Sequence, residues 1–576
     1  MNHVAQTLSA TDPGISRPWL ASYPVDVEKH LHFPPYGMPW LLERAAKLWP
    51  DRDACIYYDE HVTYGRMLSR ARRIAHWLKH KGLQPGERVG VLLPNTPEYP
   101  AVLNGIWMAG GVAVALSPLF VPEEATAFAS ATQCRMAVTL DVLSPLLSHG
   151  EFAPDVVIHT TLSHRIGRLE RLGYAWVKLM RLGLKGVPSR CKSIELRQIL
   201  REGRKYEDGF DPVPTQGSDR AYILPTGGTT SAPKAVVLTH GNLLANAWQI
   251  SHWAGNRAGE EVVLAMLPFF HSYGLSTCLT NGMALGATLI LHHRFRTASA
   301  IRLMDIHHPT LFPAVPAMLA ALNPLLEKST KKVGTSLKAV ISGGAPLAAK
   351  VAERFATATG ADVVEGYGLS EASPVTHAGP LDGTSVPGTI GLPLPDTDAR
   401  IVDSATGTEE LPLGEVGELV VRGPQVMEGY WNAPEATSKA IRDGWLFTGD
   451  LATCDSKGFF RIVDRKKDLI ITSGFNVYPG DVEDVLRRYP GLQDVAVVGI
   501  PDDNKGEVVK AIVVTKPGQQ FNRRDFQAFC HQHLAAHKRP RVVDHRTEDL
   551  PRNFLGKVLR RELRNDEGTQ LDSDQA

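Results

Sequence analysis

Short apolar runs alternate with amphipathic, helix-like patterns along most of this chain. The runs are rich in Val, Ile and Leu, which is typical of buried strands, and the segments between them have helical periodicity. This alternation predicts an α/β architecture with largely parallel sheets. The clearest predicted strands are residues 88–93, 262–266, 339–341 and 418–421.

Residues 101–120 contain no charged side chain, which makes this segment a candidate for a membrane span. Asn104, three glycines and Pro118 interrupt it, and it lacks the aliphatic density of a spanning helix. We therefore expect a buried helix followed by a buried strand at 112–116, in a soluble protein.

The pattern changes after Asp464, where the charged residues 465–468 precede a segment with two predicted strands at 494–499 and 511–514. This change predicts a second, smaller domain of α+β type. The polar residues 565–576 predict a disordered tail. The expected organisation is a large multi-sheet N-terminal domain at 1–464, a hinge at 465–468, and a small mobile C-terminal domain at 469–576.

The composition of the chain argues against several classes of function. Its 576 residues include 62 basic and 61 acidic side chains, and this balance does not favour nucleic-acid binding. Six cysteines without paired spacing fit a reducing compartment. The N-terminus shows no secretory pattern, so we expect a cytoplasmic protein.

A glycine- and threonine-rich segment at 226–234 lies between two apolar runs and predicts a tight loop between strands. Adjacent glycines allow the backbone to approach a ligand, while hydroxyl and ammonium groups can donate to phosphate oxygens. The spacing is not that of a Walker A motif, and an ordinary strand connection is the alternative. The candidate phosphate-binding residues are Thr226, Gly227, Gly228, Thr229, Thr230 and Lys234.

Six further motifs occur after this loop in a fixed order. They are PFFH at 268–271, SGGAPL at 342–347, EGYGLSE at 365–371, GWLFTGD at 444–450, DRKKD at 464–468 and NFLGKVLR at 553–560. Together with the loop, they resemble the adenylate-forming (AMP-binding) superfamily, which includes acyl-CoA synthetases, luciferases and peptide-synthetase adenylation domains. The resemblance extends over roughly residues 38–564.

The resemblance implies a two-step reaction that uses ATP, Mg²⁺ and CoA. A carboxylate and ATP give an acyl-adenylate and pyrophosphate, and a thiol then displaces AMP. The resemblance makes Lys557 the catalytic cation that bridges the carboxylate and the α-phosphate, Glu371 the catalytic magnesium ligand, and His271 a side chain beside the acyl carboxylate. The alternatives are a solvated surface lysine, a carboxylate at a helix start and a packing histidine.

The same resemblance assigns the other nucleotide contacts. It implies that Asp450 accepts from the ribose hydroxyls, that Arg465 reaches the ribose or phosphate, and that Lys467 is the hinge residue. The implied adenine and α-phosphate residues are Gly343, Gly344, Ala345, Gly366, Tyr367, Gly368 and Ser370.

The resemblance implies an ATP-dependent ligase that joins a medium- to long-chain fatty acid to CoA. The alternatives are an acyl-AMP ligase that loads a carrier protein, an aryl-acid CoA ligase, and an inactive nucleotide-binding module. The expected partners are the fatty acid and CoA, with no nucleic acid. Chain length and the choice between monomer and homodimer stay open.

Residues 164–185 form an amphipathic pattern. At helical periodicity, one face gathers Ile166, Leu169, Leu172, Trp176, Val177, Leu179, Met180 and Leu184. The other face gathers Arg168, Arg171, Lys178, Arg181 and Lys185. A peripheral contact with an anionic membrane surface and an ordinary helix packed on the core are both compatible with this pattern.

Overall fold

The computed structural model describes most of the chain, and for residues 168–170 and 181–182 it describes the backbone alone. The described residues are 16–147, 152–163, 165, 168–182, 192–206, 210–226, 234–255, 257–329, 332–472, 475–502, 506–553 and 556–564. The strands are β1 (Asp53–Tyr57), β2 (Glu60–Thr63), β3 (Arg88–Leu92), β4 (Val112–Ala115), β5 (Met136–Leu140), β6 (Val156–Thr160), β7 (Lys192–Glu195), β8 (Arg220–Pro225), β9 (Ala235–Thr239), β10 (Val262–Ala265), β11 (Thr288–Leu291), β12 (Leu311–Ala314), β13 (Ala339–Ser342), β14 (Asp362–Gly368), β15 (Val375–Ala378), β16 (Leu392–Pro393), β17 (Asp398–Val402), β18 (Gly417–Arg422), β19 (Gly429–Tyr430), β20 (Ile441–Arg442), β21 (Trp445–Cys454), β22 (Phe460–Arg465), β23 (Ile470–Thr472), β24 (Phe475–Val477), β25 (Leu492–Asp502), β26 (Gly506–Thr515) and β27 (Val542–Arg546).

Helices connect most of these strands. They are α1 (Pro39–Leu48), α2 (Tyr64–His80), α3 (Glu98–Met108), α4 (Pro122–Ala131), α5 (Arg168–Leu182), α6 (Leu196–Glu202), α7 (His240–Trp253), α8 (Ser272–Gly274), α9 (Asn281–Leu285), α10 (Thr297–His307), α11 (Pro316–Lys328), α12 (Ala349–Thr359), α13 (Pro434–Ala440), α14 (Pro479–Leu486), α15 (Arg523–His533) and α16 (Arg560–Arg564). Among the helices in the described ranges, none is both long and apolar enough to cross a membrane.

The chain divides into two compact units, each built from more than one stretch of sequence. The first unit contains Met1–Asp398 and Arg422–Leu446, and the second contains Ala399–Val421 and Phe447–Ala576. The predicted boundary at 464 and the hinge at 465–468 stay predictions.

One sheet of the first unit has nine strands in the order β16-β15-β14-β13-β12-β10-β11-β1-β2. The strands from β14 to β1 run parallel to one another, and β2, β15 and β16 are antiparallel at the two edges. The predicted nucleotide motif at 342–347 begins at the last residue of β13, and the one at 365–371 includes the last four residues of β14. Parallel pairing therefore places these motifs at the same edge of the sheet.

The other sheet of the first unit has eight strands in the order β19-β9-β8-β4-β3-β5-β6-β7. Strands β8 to β7 are parallel, while β9 and β19 add an antiparallel edge. The uncharged segment at 101–120 forms most of α3 and then β4, and both elements are buried along their whole length. The predicted buried helix and strand are confirmed.

Helix α7 begins directly after β9, and a reciprocal cap fixes the junction. The Thr239 hydroxyl accepts from the Asn242 backbone N–H at 3.1 Å, and the Asn242 side-chain oxygen accepts from the Thr239 N–H at 3.0 Å. Such a cap satisfies two backbone donors at the helix start. The strand that follows the predicted phosphate loop is thus held by a helix at its far end.

The second unit contains two sheets. The first has the strand order β17-β18-β21, with β22 paired to β21. The second has the order β24-β23-β26-β25, with β27 running parallel beside β26. Val497, Val513 and Phe526 belong to the core on one face of the latter sheet. The fold class is confirmed: a large multi-sheet α/β N-terminal part is followed by a small α+β part.

Candidate active site

The predicted phosphate loop is flanked by two paired strands. Strands β8 and β9 are antiparallel, and the Thr226 N–H donates to the Lys234 carbonyl at 2.8 Å where the loop leaves them. Lys234 is exposed, and its Nζ lies 4.7 Å from the centroid of the Tyr430 ring. The predicted residues Gly227, Gly228, Thr229 and Thr230 lie outside the described residues.

Glu371, the predicted magnesium ligand, lies in a short 3₁₀ turn after β14. Its Oε1 accepts from the Tyr430 hydroxyl at 2.8 Å, and its carbonyl accepts from the Met427 N–H at 2.8 Å. Burial and the neighbouring Glu371 charge raise the pKa of Tyr430 above its ordinary value. The phenol therefore stays protonated and keeps donating to the carboxylate.

Tyr430 is a further candidate site residue, and the motifs do not include it. It lies in the two-residue strand β19, which pairs with the start of β9, just after the predicted phosphate loop. Its side chain contacts both the loop lysine and the Glu371 carboxylate. The available sequence signal is a pair of adjacent aromatic residues after Gly429, a pattern that by itself does not indicate a site.

The remaining predicted residues of this unit lie in neighbouring segments. Ser370 Oγ is 3.1 Å from Ser272 Oγ, so the segment containing His271 lies beside the segment that contains Glu371. The His271 ring accepts from the Tyr273 N–H at 3.2 Å, and burial lowers the pKa of His271 to about 4. The imidazole is therefore neutral near pH 7 and acts here as a helix cap.

Close packing excludes a side chain at Gly368 and leaves little room for one at Gly343. A Cβ on Gly368 would lie 1.8 Å from the Pro374 carbonyl oxygen. A Cβ on Gly343 would lie 3.0 Å from the Tyr273 ring and 3.1 Å from the Gly366 carbonyl. The other predicted residues lie in the same two segments, namely Gly344 and Ala345 after β13, and Tyr367 within β14.

In the second unit, Asp450 and Arg465 face each other across an antiparallel pair. Strands β21 and β22 place the two residues directly opposite, and Arg465 Nε is 3.1 Å from Asp450 Oδ1. The Asp450 residue is 4% exposed. An acidic group so buried is usually paired, and the Arg465 guanidinium supplies the partner.

Lys557 lies close enough to Asp450 and Arg465 for both charges to act on its ammonium group. Its backbone N–H donates to the Asn553 side-chain oxygen at 2.9 Å. Burial and, after it, the Arg465 charge lower the pKa of Lys557 to about 8, although Asp450 and Asp468 oppose the shift. Three predicted residues from distant motifs are therefore gathered within the second unit.

Lys467, the predicted hinge residue, lies in the 3₁₀ turn Lys466–Asp468. Burial of its ammonium, followed by the Arg465 charge, lowers its pKa from the ordinary value. Its position next to the ribose-motif arginine is consistent with the resemblance. The hinge role itself stays a prediction.

The sequence is similar to known proteins over nearly its whole length. The sequence model described as AMP-binding enzyme matches residues 42–431, and the model of the AMP-binding enzyme C-terminal domain matches 481–557. A Bacillus subtilis long-chain-fatty-acid–CoA ligase is 38% identical over 556 residues, which is 96% of this chain and 98% of that protein.

Two solved structures have the same fold. The ATP-bound MatB of Rhodopseudomonas palustris has a TM-score of 0.75 at 28% identity, covering 92% of this chain and 98% of that one. The o-succinylbenzoate CoA synthetase MenE of Bacillus subtilis, in complex with its acyl-adenylate intermediate, has a TM-score of 0.73 at 26% identity, covering 94% and 100%.

Proposed function

We propose that this chain, which belongs to the AMP-binding enzyme family, is an ATP-dependent ligase that joins a medium- to long-chain fatty acid to CoA. One observation carries the proposal: Lys557, Asp450 and Arg465 come from three separate motifs and are gathered in one half-buried cluster. The near-full-length similarity to the Bacillus subtilis ligase supports the class of acid.

The proposed reaction has two steps. A carboxylate oxygen of the fatty acid attacks the α-phosphorus of ATP, and the bond to pyrophosphate breaks. The CoA sulfur then attacks the acyl carbon, its proton is lost, and AMP leaves. The first step builds up negative charge at phosphorus, so fixed cations and hydrogen-bond donors are required more than an acid or base.

Lys557 is the proposed cation of the first step. With a pKa of about 8, it carries a positive charge at pH 7 and is partly removed from water. A charge in such a place interacts more strongly with phosphate and carboxylate oxygens than an exposed lysine does. Asp450 is proposed to accept from the two ribose hydroxyls, with Arg465 beside it.

Mg²⁺ is proposed to bind at Glu371. The half-buried carboxylate suits this ion, since the Tyr430 hydroxyl holds one oxygen while lone-pair positions remain available. The bound ion would neutralise charge on the phosphate oxygens. Lys234 is proposed to contribute a further positive charge at the phosphate loop.

The first experiment measures pyrophosphate release with ATP and a panel of acids, and then thioester formation with CoA. Fatty-acid-dependent release followed by thioester supports the proposal. Release without thioester would indicate an acyl-AMP ligase for a carrier protein, and a preference for aromatic acids would indicate an aryl-acid ligase. No release with any acid would refute the catalytic function.

Lys557→Ala should lower pyrophosphate release by two to four orders of magnitude, or about 3–5 kcal/mol. Lys516→Ala, a change at an exposed lysine of the same unit, is the matched control and should keep normal activity. Thioester formation from supplied acyl-adenylate should largely survive in Lys557→Ala. Equal loss in both half-reactions would contradict the assigned role.

A peripheral contact between α5 and an anionic membrane surface is the second proposal, and the exposure of its apolar residues supports it. Leu172, Trp176 and Met180 are 70%, 64% and 67% exposed. The inward side of the helix is polar, since Tyr174 hydrogen-bonds to Asp141 and Lys178 Nζ lies 2.7 Å from the same carboxylate. A lipid surface would bury the apolar side chains beside the basic ones.

Co-sedimentation with phosphatidylglycerol vesicles tests this contact. A variant with Leu172, Trp176 and Met180 changed to serine should bind less than the wild type at low salt. A variant with Ile306 and Leu325 changed to serine is the control, because these side chains are also exposed but lie on other helices. Equal binding by all three proteins would refute the contact.

A further inference from the structure

A large cavity in the first unit lies outside every adenylation motif. Its volume is about 880 Å³, and it opens between α2, the start of α3, α6 and the ends of β6 and β7. Its charged lining consists of six arginines and four carboxylates, which leaves an excess of positive charge.

Some of these charged side chains form ion pairs with one another. Arg165 forms ion pairs with both Glu60 and Glu98, and Arg70 lies 3.0 Å from Glu60. These pairs account for two carboxylates and two arginines on one side of the cavity. They form a structural cluster and do not neutralise the arginines of α6.

The other side carries a row of exposed arginines. Arg197 and Arg201 are four residues apart on α6, and Arg204 follows three residues later in the 3₁₀ turn Gly203–Tyr206, so the three lie along one side of the chain. The buried Ile199 anchors α6 from its opposite side. Within the described ranges, no carboxylate lies in ion-pair distance of these three arginines.

Helix α2 is held close to this row. The Arg73 guanidinium donates to the Leu200 carbonyl at 3.1 Å. A Cβ at Gly203 would lie 2.8 Å from Arg73 Cβ, so a glycine is needed for the approach. Like charges that line one cavity repel each other, and an anion placed between them removes that repulsion.

A buried carboxylate adds a second requirement. Glu98 is 6% exposed and lines the cavity, and its Oε2 has no hydrogen-bond partner among the described residues. A buried acceptor without a donor is costly. A ligand with a hydroxyl group would supply the donor, while its anionic group would meet the arginines.

We propose that this cavity binds the phosphate ester of a polyol, with the phosphate at Arg197, Arg201 and Arg204 and a hydroxyl at Glu98. Arginine suits phosphate because its planar fork can donate two parallel hydrogen bonds. The volume is far larger than a single phosphate requires. Two kinds of ligand contain this group: a soluble polyol phosphate, and an anionic lipid with a glycerol phosphate headgroup.

The chain itself connects the cavity to the exposed apolar helix. Thr160, Thr161 and Arg165 line the cavity, and α5 begins at Arg168. A lipid headgroup is therefore a natural candidate beside the soluble ester. The site does not depend on the ligase reaction, since none of its residues belongs to the adenylation motifs.

Calorimetric titration of the full-length protein with glycerol phosphate tests the proposal. The catalytic site is first blocked with a sulfamate analogue of the acyl-adenylate, and ionic strength is matched with sodium chloride. The variant R197E/R201E/R204E should lose at least about tenfold in affinity, because charge-assisted hydrogen bonds are removed. The control R257E/R302E/R524E changes three exposed arginines elsewhere and should bind like the wild type.

Glu98 is tested by ligand choice. Wild type should prefer glycerol phosphate to methyl phosphate, and Glu98→Gln should reduce that preference while it still binds both. R197Q/R201Q/R204Q is the milder second variant, and thermal melting checks that each protein is folded. Equal affinity of the wild type and both arginine triple variants, or no binding above the salt control, would overturn the proposal.

Phosphatidylglycerol vesicles distinguish the two kinds of ligand. If the lipid headgroup is the ligand, R197E/R201E/R204E should lose vesicle binding at low salt even with α5 unchanged. If a soluble ester is the ligand, the same variant should lose only glycerol phosphate binding. Either result supports the polyol-phosphate site.

Discussion

The pKa of Lys557 makes a specific prediction about the pH dependence of adenylation. Burial lowers this pKa to about 8, so half of the ammonium groups have lost their proton at about that pH. Between about pH 7 and pH 9, the charged fraction falls from about nine tenths to about one tenth. We therefore expect kcat/KM for pyrophosphate release to fall about tenfold over this interval, because kcat/KM reports the free enzyme.

The decline should be a loss of chemistry, not a loss of folding. The folded pKa of Lys557 lies below the ordinary value of 10.5, so the unfolded chain binds more protons between about pH 8 and that value. This group therefore makes the folded state more stable as the pH rises through that window. Thermal melting at each pH separates the two effects.

Two substitutions and a control identify the titrating group. Lys557→Arg keeps a positive charge throughout, so its residual activity should show no decline at this pH. Asp468→Asn removes a carboxylate that raises the pKa of Lys557, so the decline should move to lower pH. Asp549→Asn changes an exposed carboxylate of the same unit that is not among the charges acting on Lys557, and it should leave the profile unchanged.

The reasoning fails if Lys557→Arg retains the decline at the wild-type pH, since another group would then be titrating. It also fails if Asp468→Asn moves the decline to higher pH. Rates are measured as initial pyrophosphate release without CoA, so that thioester formation does not enter the profile.

Three further outcomes are expected at the site. Tyr430→Phe should raise the Mg²⁺ concentration needed for half-maximal activity by about tenfold, because Glu371 loses the hydroxyl that orients it; an unchanged Mg²⁺ titration would contradict this. Lys234→Ala should raise the KM for ATP and leave kcat nearly unchanged, as steady-state kinetics at saturating acid will reveal. Gly343→Val should displace the Tyr273 ring, and the resemblance assigns the neighbouring segment 268–271 to the acyl pocket; kcat/KM for long acids should therefore fall relative to that for medium ones, which competition between two acids measures.

The strands are the most predictable part of the fold. Residues 88–93 and 262–266 are predicted strands, and β3 and β10 end one residue earlier. Continuous apolar runs are typical of strands that are covered on both faces of a parallel sheet. The local pattern is therefore sufficient to locate them without knowledge of the tertiary structure.

The contacts of the site are less predictable. The motifs identify Glu371, but its partner Tyr430 lies 59 positions away in a two-residue strand. The close approach of α2 and α6 at the cavity is likewise hard to predict. It requires a glycine at position 203, and this requirement is visible only once the positions of both helices are known. The periodicity of α5 indicates two faces, yet only the structure distinguishes the exposed face from the one that contacts Asp141.

The first unit is built from two separate stretches of sequence, and this has a consequence for biosynthesis. Strand β9 is complete at Thr239, but its edge partner β19 is made only at residues 429 and 430. At the usual rate of about 5–20 residues per second, these roughly 190 residues take about 10–40 s to synthesise. During that time the nascent chain has an unpaired strand edge of the kind that recruits other chains, so rare codons between the two strands should increase aggregation of newly made protein.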